Sequence, residues 1–159
     1  MGIIDELGEL AIATRLLRLS EQTRRDVTRI YKEHHLDFES KWFPVLYVLN
    51  KKPGLGIVEL ANEIGYTHQS VIVLVKEMQK EKLVKSALHK SDGRKRELTL
   101  TQKALDMIKE FKPLWADFIT LNRKVFNSET NMLKAIEATE AVLRKESYYE
   151  RYRKMKEKK

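Results

Sequence analysis

Apolar positions recur at helical spacing along most of this chain and switch to alternation in one stretch near its middle. Over residues 5–34, Leu7, Leu10, Ala11, Thr14 and Leu17 form one helical stripe, which Val27, Ile30 and Tyr31 resume after a polar interval. Ile12, Leu16 and Leu19 add a second apolar face, so the predicted helix needs two surfaces to pack against, its own core and a second subunit. Phe38, Trp42, Val45, Leu46 and Leu49 mark a second helix, with start signals from Asp37 to Ser40. Pro44 is tolerable there only close behind the helix start. The stretch 51–56, with Pro53, Gly54 and Gly56, reads as a turn.

Two short helices follow. Ile57, Leu60, Ala61 and Ile64 give the first its buried stripe, and Gly65 ends it in a left-handed conformation. Thr67 caps the next, whose inward face is Val71, Leu74, Val75 and Met78. Between residues 85 and 100 the period falls to two, with Ser86 and Leu88, then Leu98 and Leu100, around a Ser91-Asp92-Gly93 turn; this predicts a β-hairpin. Thr101 then caps a long helix through Leu105, Ile108, Phe111, Trp115, Phe118 and Val125, kinked at Pro113. Ser128 is the expected cap of a last helix carrying Leu133, Ile136, Val142 and Leu143. Residues 147–159 form a polar, basic C-terminal tail, a solvated helical end or a flexible arm.

The order helix, helix, turn, helix, hairpin is that of a winged helix-turn-helix, a mainly α fold with a small β-hairpin wing. One short helix braces another, which enters the major groove of DNA by its N-terminal end. With the apolar stripe turned inward, the outward surface carries Thr67, His68, Gln69, Ser70, Ile72, Val73 and Lys76. Gln69 offers a donor and an acceptor to an adenine edge, and Ile72 or Val73 an apolar contact to thymine methyls. Thr67, Ser70 and Lys76 suit phosphates. The competing reading makes Ile72 and Val73 ordinary core of a helix buried all round. The hairpin carries Lys85, Lys90, Arg94, Lys95 and Arg96 against the single acid Asp92, which is close enough to Arg94 to stiffen the turn. A basic tip suits a neighbouring minor groove, where negative potential concentrates. Alternatively it is a solvated hairpin whose charges prevent edge-to-edge aggregation.

Charge sharpens this picture. The net +8 is uneven: residues 51–103 carry +5 and 144–159 another +5, while 1–50 and 104–143 are each −1. A polyanion fits such a block through counterion release, although many soluble proteins are basic without binding one. The chain has 159 residues and no cysteine, which excludes disulfides, thiolate chemistry and cysteine-ligated zinc. No stretch has the apolar length of a membrane span, so a cytoplasmic protein is expected. Adjacent His34 and His35 do not converge on one metal, and no phosphate loop, nucleophile elbow or carboxylate cluster is present. An enzyme, a metal site and a cofactor are therefore not expected.

Leu60-Ala61, Gly65, Val71, Leu74, Met78, Leu83-Val84, Asp92-Gly93-Arg94 and Leu98-Thr99-Leu100-Thr101 together resemble the multiple-antibiotic-resistance regulator (MarR) family. The resemblance implies one domain over 1–146: a DNA-binding lobe over about 38–100 and dimerisation helices at 1–34 and 101–146. It implies a homodimer on a pseudo-palindromic operator in double-stranded DNA, with Arg94 in the minor groove and Asp92 as its brace. Glu81-Lys82-Leu83 and Ala104 stand where the family often has glycine. The apolar inventory argues for the dimer separately, since Leu7, Leu10, Ile12 and Leu16, with Phe118, Leu121, Val125, Phe126, Ile136 and Val142, exceed what one small lobe covers. The family further implies a repressor released by a small aromatic or anionic ligand, here in a cleft lined by Arg15, Trp42, Phe43, Tyr47 and Trp115, unless these aromatics are core. Two other functions fit the same pattern: a winged-helix protein-interaction module, and an architectural nucleic-acid binder without sequence preference.

Overall fold

A computed structural model describes residues 2–88 and 96–157. Its contacts divide the chain into two compact units, Met1–Lys109 and Glu110–Lys159. The first unit opens with a departure from the sequence pattern. In place of one helix over 5–34 there is a short α1 (Ile3–Glu6), a 3-10 turn (Gly8–Ala11) and then α2 (Ile12–Glu33). Gly8 explains the break: its φ of +51° lies in the left-handed region, which a right-handed helix cannot continue through.

α2 buries only Tyr31 and leaves Ile12, Leu16 and Leu17 at least half exposed. Its end is a Schellman motif: Leu36 N–H donates to the Tyr31 carbonyl at 2.9 Å and His35 N–H to that of Lys32 at 3.0 Å. His35 takes the left-handed position at φ +58°. A 3-10 turn (Ser40–Trp42) leads into α3 (Phe43–Lys51), with Pro44 in the first turn, where a missing N–H costs nothing. α4 (Ile57–Ile64) starts at Gly56, whose N–H is taken by the Glu59 carboxylate at 2.8 Å, and ends at Gly65 with φ +78°. α5 (His68–Lys80) buries Val71, Leu74, Val75 and Met78, the face its spacing predicts.

A second Schellman motif closes α5. Leu83 N–H donates to the Met78 carbonyl at 2.8 Å and Lys82 N–H to that of Gln79 at 3.0 Å. Leu83 and Met78 are fully buried, the apolar pairing that accompanies this motif. Lys82 takes the left-handed position at φ +58°, at the turn where a glycine would do so without a side chain. β1 (Val84–Leu88) and β2 (Arg96–Leu100) then pair antiparallel, from Val84↔Leu100 to Leu88↔Arg96. β2 has a partner on its other edge too. Gly54 N–H donates to the Leu98 carbonyl at 3.0 Å and Leu98 N–H to that of Leu55 at 2.9 Å, so the turn after α3 is pinned to the wing.

Thr101 joins the wing to α6 (Gln102–Phe126). Its hydroxyl donates to the Lys82 carbonyl at 2.7 Å and accepts from Ala104 N–H at 3.3 Å, capping the helix as expected. α6 remains helical on both sides of Pro113. The core of the first unit is built from Tyr31, Phe38 and the buried faces of α3, α4 and α5, closed by Leu98 and Leu100 of the wing.

The second unit holds the later part of α6, α7 (Met132–Lys145) and α8 (Tyr148–Glu157). The cap of α7 is Asn131, not Ser128: its side chain accepts from Lys134 N–H at 2.9 Å, and the helix begins at Met132, just before Leu133, the first apolar position of its pattern. The C-terminal tail is largely helical. Ser147 and Glu150 form a capping box at its start, in which Glu150 accepts from Ser147 N–H at 2.7 Å and Ser147 from Glu150 N–H at 3.3 Å. Among the described residues no helix is long and apolar enough to cross a membrane.

Candidate nucleic-acid interface

The N-terminal end of α5 combines a firm cap with an open face. Thr67 is extended and its hydroxyl accepts from Ser70 N–H at 3.2 Å, while the two hydroxyls share a hydrogen bond of 2.8 Å. That pair therefore orders the first turn of the helix. His68, Gln69, Val73 and Lys76 are exposed, whereas Ile72 is half-buried, so the predicted outward face is present with Ile72 partly withdrawn. Gln69 and Val73 are four residues apart and Val73 and Lys76 three, which places them along one side of the helix.

Of the predicted wing residues, Lys90, Asp92, Arg94 and Lys95 lie outside the described residues. Arg96 is exposed on β2, and its Nε donates to the Ser86 hydroxyl of β1 at 2.9 Å. The bond crosses the hairpin and fixes the root of that guanidinium.

What holds α5 in place was not legible in the sequence. Glu77, one turn beyond Val73, receives two donors from the corner between the 3-10 turn and α3. Lys41 Nζ donates to Oε1 at 2.9 Å and lies 2.7 Å from Oε2, which accepts the Trp42 indole N–H at 2.7 Å. The Lys41 bond foremost, then the Trp42 bond, holds the Glu77 carboxyl below its ordinary range against a smaller opposing effect of burial. A second polar tie runs from Arg24 of α2 to the Tyr66 hydroxyl between α4 and α5, at 2.9 Å. The only sequence signal for the first tie is that Glu77 is the sole acid in α5.

The five residues expected to line a ligand cleft have different surroundings. Trp42 is buried and committed to Glu77. Phe43 and Tyr47 are partly exposed, their rings 5.5 Å apart along α3. Arg15 lies 3.9 Å from the Asp5 carboxylate, which also pairs with Arg18; the Arg18 bond first, then that from Gly2 N–H, lowers the Asp5 pKa. Trp115, in the second unit, has its ring 5.8 Å from that of Phe111. A groove of about 480 Å³ in the first unit is lined instead by Glu21, Arg24, Arg25, Thr28, Glu39, Ser40 and Lys41.

The residues expected at a dimer interface divide similarly. Leu7, Leu10 and Ile12 are exposed in the first unit and Val125, Ile136 and Val142 in the second, with Phe118 and Phe126 half-buried. Among the described residues no group of three or more His, Asp or Glu side chains is placed to hold a metal.

A braced helix pair, a paired hairpin bound to the preceding turn and an open helix face define a winged helix-turn-helix protein. A model of the MarR family matches residues 36–95. Solved structures extend the likeness to most of the chain. The transcriptional regulator BldR from Sulfolobus solfataricus superposes with a TM-score of 0.63 at 16% identity, covering 91% of this chain and 99% of that one. The transcriptional repressor CouR, solved on a 23-mer DNA duplex, gives 0.62 at 22% identity, covering 85% and 96%. The MepR–DNA complex of S. aureus gives 0.63 at 16% identity, covering 82% and 96%. No curated protein matches the sequence. The chain has the fold of the MarR family of transcriptional regulators, and residues 36–95 carry that family's sequence pattern.

Proposed function

We propose that this protein is a homodimeric, sequence-specific DNA-binding regulator of transcription, acting as a repressor released by a small aromatic or anionic ligand. The observation that carries the reading is the exposed row Gln69, Val73 and Lys76 on a capped helix braced from behind by α4. Gln69 reads an adenine edge, Val73 packs on a thymine methyl and Lys76 meets phosphate. Arg94, braced by Asp92, enters the minor groove with Lys90, Lys95 and Arg96 beside it. Residues 38–100 form the DNA-binding lobe, and 1–34 with 101–146 the dimerisation helices.

The support is of two kinds. Structures with this fold, those of CouR and MepR, were solved on DNA. The exposed leucine and isoleucine side chains of α2 and α7 form apolar faces of the kind a soluble monomer rarely leaves open. The half-exposed Phe43–Tyr47 pair offers an aromatic ligand a stacking surface, and the work is done in the cytoplasm, where chromosomal DNA is met. The test is selection from a random duplex pool at fixed, near-physiological salt, beside Arg94→Ala and Gln69→Ala. A palindrome enriched by the wild type and weakened in both variants is the expected result. Weak, salt-sensitive binding without enrichment, unchanged by either substitution, refutes the proposal.

A further inference from the structure

The major groove accepts a helix only in a narrow range of poses, and a side chain misplaced by an ångström loses its base contact. Apolar packing sets which face of a helix is buried. Directional hydrogen bonds narrow its pose further. α5 has such a pair on one flank: both oxygens of Glu77 are taken, by Lys41 Nζ at 2.9 Å and Trp42 Nε1 at 2.7 Å.

The donors are themselves anchored. Trp42 is buried, its ring edge-on to Phe38 at 5.7 Å, and Phe38 is edge-on to Tyr31 of α2 at 5.3 Å. Beside them Ser40 N–H donates to the Thr28 hydroxyl at 3.0 Å and the Ser40 hydroxyl to the Arg24 carbonyl at 2.8 Å. Glu77 thus ties α5 to a corner that aromatic packing and two hydrogen bonds fasten to α2. We propose that Glu77 is a positioning residue for DNA recognition, clamping α5 through Lys41 and Trp42 in the pose that brings Gln69 and Val73 onto base edges. The proposal rests on the reading of α5 as the recognition helix.

It makes a prediction opposite in sign to simple electrostatics. Glu77→Gln removes a negative charge from a basic protein, which by itself strengthens attraction to phosphate. Loss of the clamp instead weakens only base-specific binding. The experiment is a fluorescence-anisotropy titration of the full chain at fixed salt, with the selected palindrome and a scrambled duplex of equal length. Glu77→Gln is expected to bind the palindrome about tenfold more weakly, the size of losing one charge-assisted bond, and the scrambled duplex as tightly as the wild type or more so. Trp42→Phe, which keeps a six-membered aromatic ring at this buried position and deletes the indole N–H with its five-membered ring, is expected to act in the same direction. The double variant is expected to be less than additive, since both remove one coupled contact.

In a Trp115→Phe background the emission of Trp42 is expected to shift on Glu77→Gln, a signature of the lost indole bond. If Glu77→Gln fails to fold by circular dichroism, Trp42→Phe decides, because it leaves the Lys41 pair in place. Unchanged or tighter palindrome binding by the folded variant overturns the clamp if Gln69→Ala and Arg94→Ala still weaken it. If those two are also silent, the recognition-helix reading fails and the clamp with it.

Discussion

Lys82→Gly is expected to stabilise the protein. Lys82 closes the Schellman motif after α5 at φ +58°, with its side chain exposed. A residue with a Cβ is held there at a cost of about 1–2 kcal/mol, and lysine lacks the short polar side chain that eases the conformation for Asn, Asp or His. Glycine removes that cost but loses about 0.5–1 kcal/mol through greater freedom of the unfolded chain. The net gain is about 0–1.5 kcal/mol, centred on about 0.75 kcal/mol, which is roughly 2–3 °C in Tm for a chain of this length.

Gly65→Ala is the mirror experiment. Gly65 sits at φ +78° with nothing within 4 Å of the position a Cβ would take, so the cost is conformational rather than steric. A loss of about 0.5–1 kcal/mol is expected, and Gly65→Asn is expected to lose less. Urea melts at one protein concentration measure both, the concentration being fixed because the proposed dimerisation would add to apparent stability. Opposite signs for Lys82→Gly and Gly65→Ala support the reasoning; a destabilised Lys82→Gly protein with an unchanged m-value refutes it.

Met78 is fully buried on the inner face of α5, so Met78→Ala is expected to cost about 2–5 kcal/mol in the same urea melts. Glu77 titrates below its ordinary range because Lys41 and then Trp42 donate to its ionised form. Its stabilising contribution is therefore complete above the ordinary glutamate range and lost as pH falls through the lowered folded value. Wild type should thus lose more stability than Glu77→Gln on acidification from about pH 7 to about pH 3, and equal losses count against the bond. Ile12→Glu lies on an exposed position of α2, so the isolated fold should tolerate it within about 0.5 kcal/mol. Sedimentation equilibrium is expected to show a wild-type dimer and a largely monomeric variant; a monomeric wild type refutes the dimer.

The sequence by itself determined whatever is encoded within a few residues. The stripe Val71, Leu74, Val75, Met78 buries the face its spacing predicts, Thr67 caps α5, Gly65 turns left-handed, and alternation locates the hairpin strands. Each follows from a period or from a hydrogen bond spanning three or four residues. The departures are local as well. Gly8 breaks the helix that the spacing predicts over 5–34, and α7 is capped by Asn131 rather than Ser128, because the apolar stripe locates a helix better than its first residue.

Only the tertiary structure decided the supports of the proposed interface. Glu77 meets Lys41 and Trp42 across 36 and 35 residues, Arg24 meets Tyr66 across 42, and Leu55 pairs with Leu98 outside the hairpin. No period marks such partners, because their meeting depends on how α2, α3 and α5 pack and not on spacing along the chain. For the same reason Trp42, one aromatic among the expected ligand contacts, proved to be the buried donor that holds α5. A side chain's chemical type can be read from the sequence, but the group that satisfies it is chosen by the packed fold, which must pair each polar atom it removes from water.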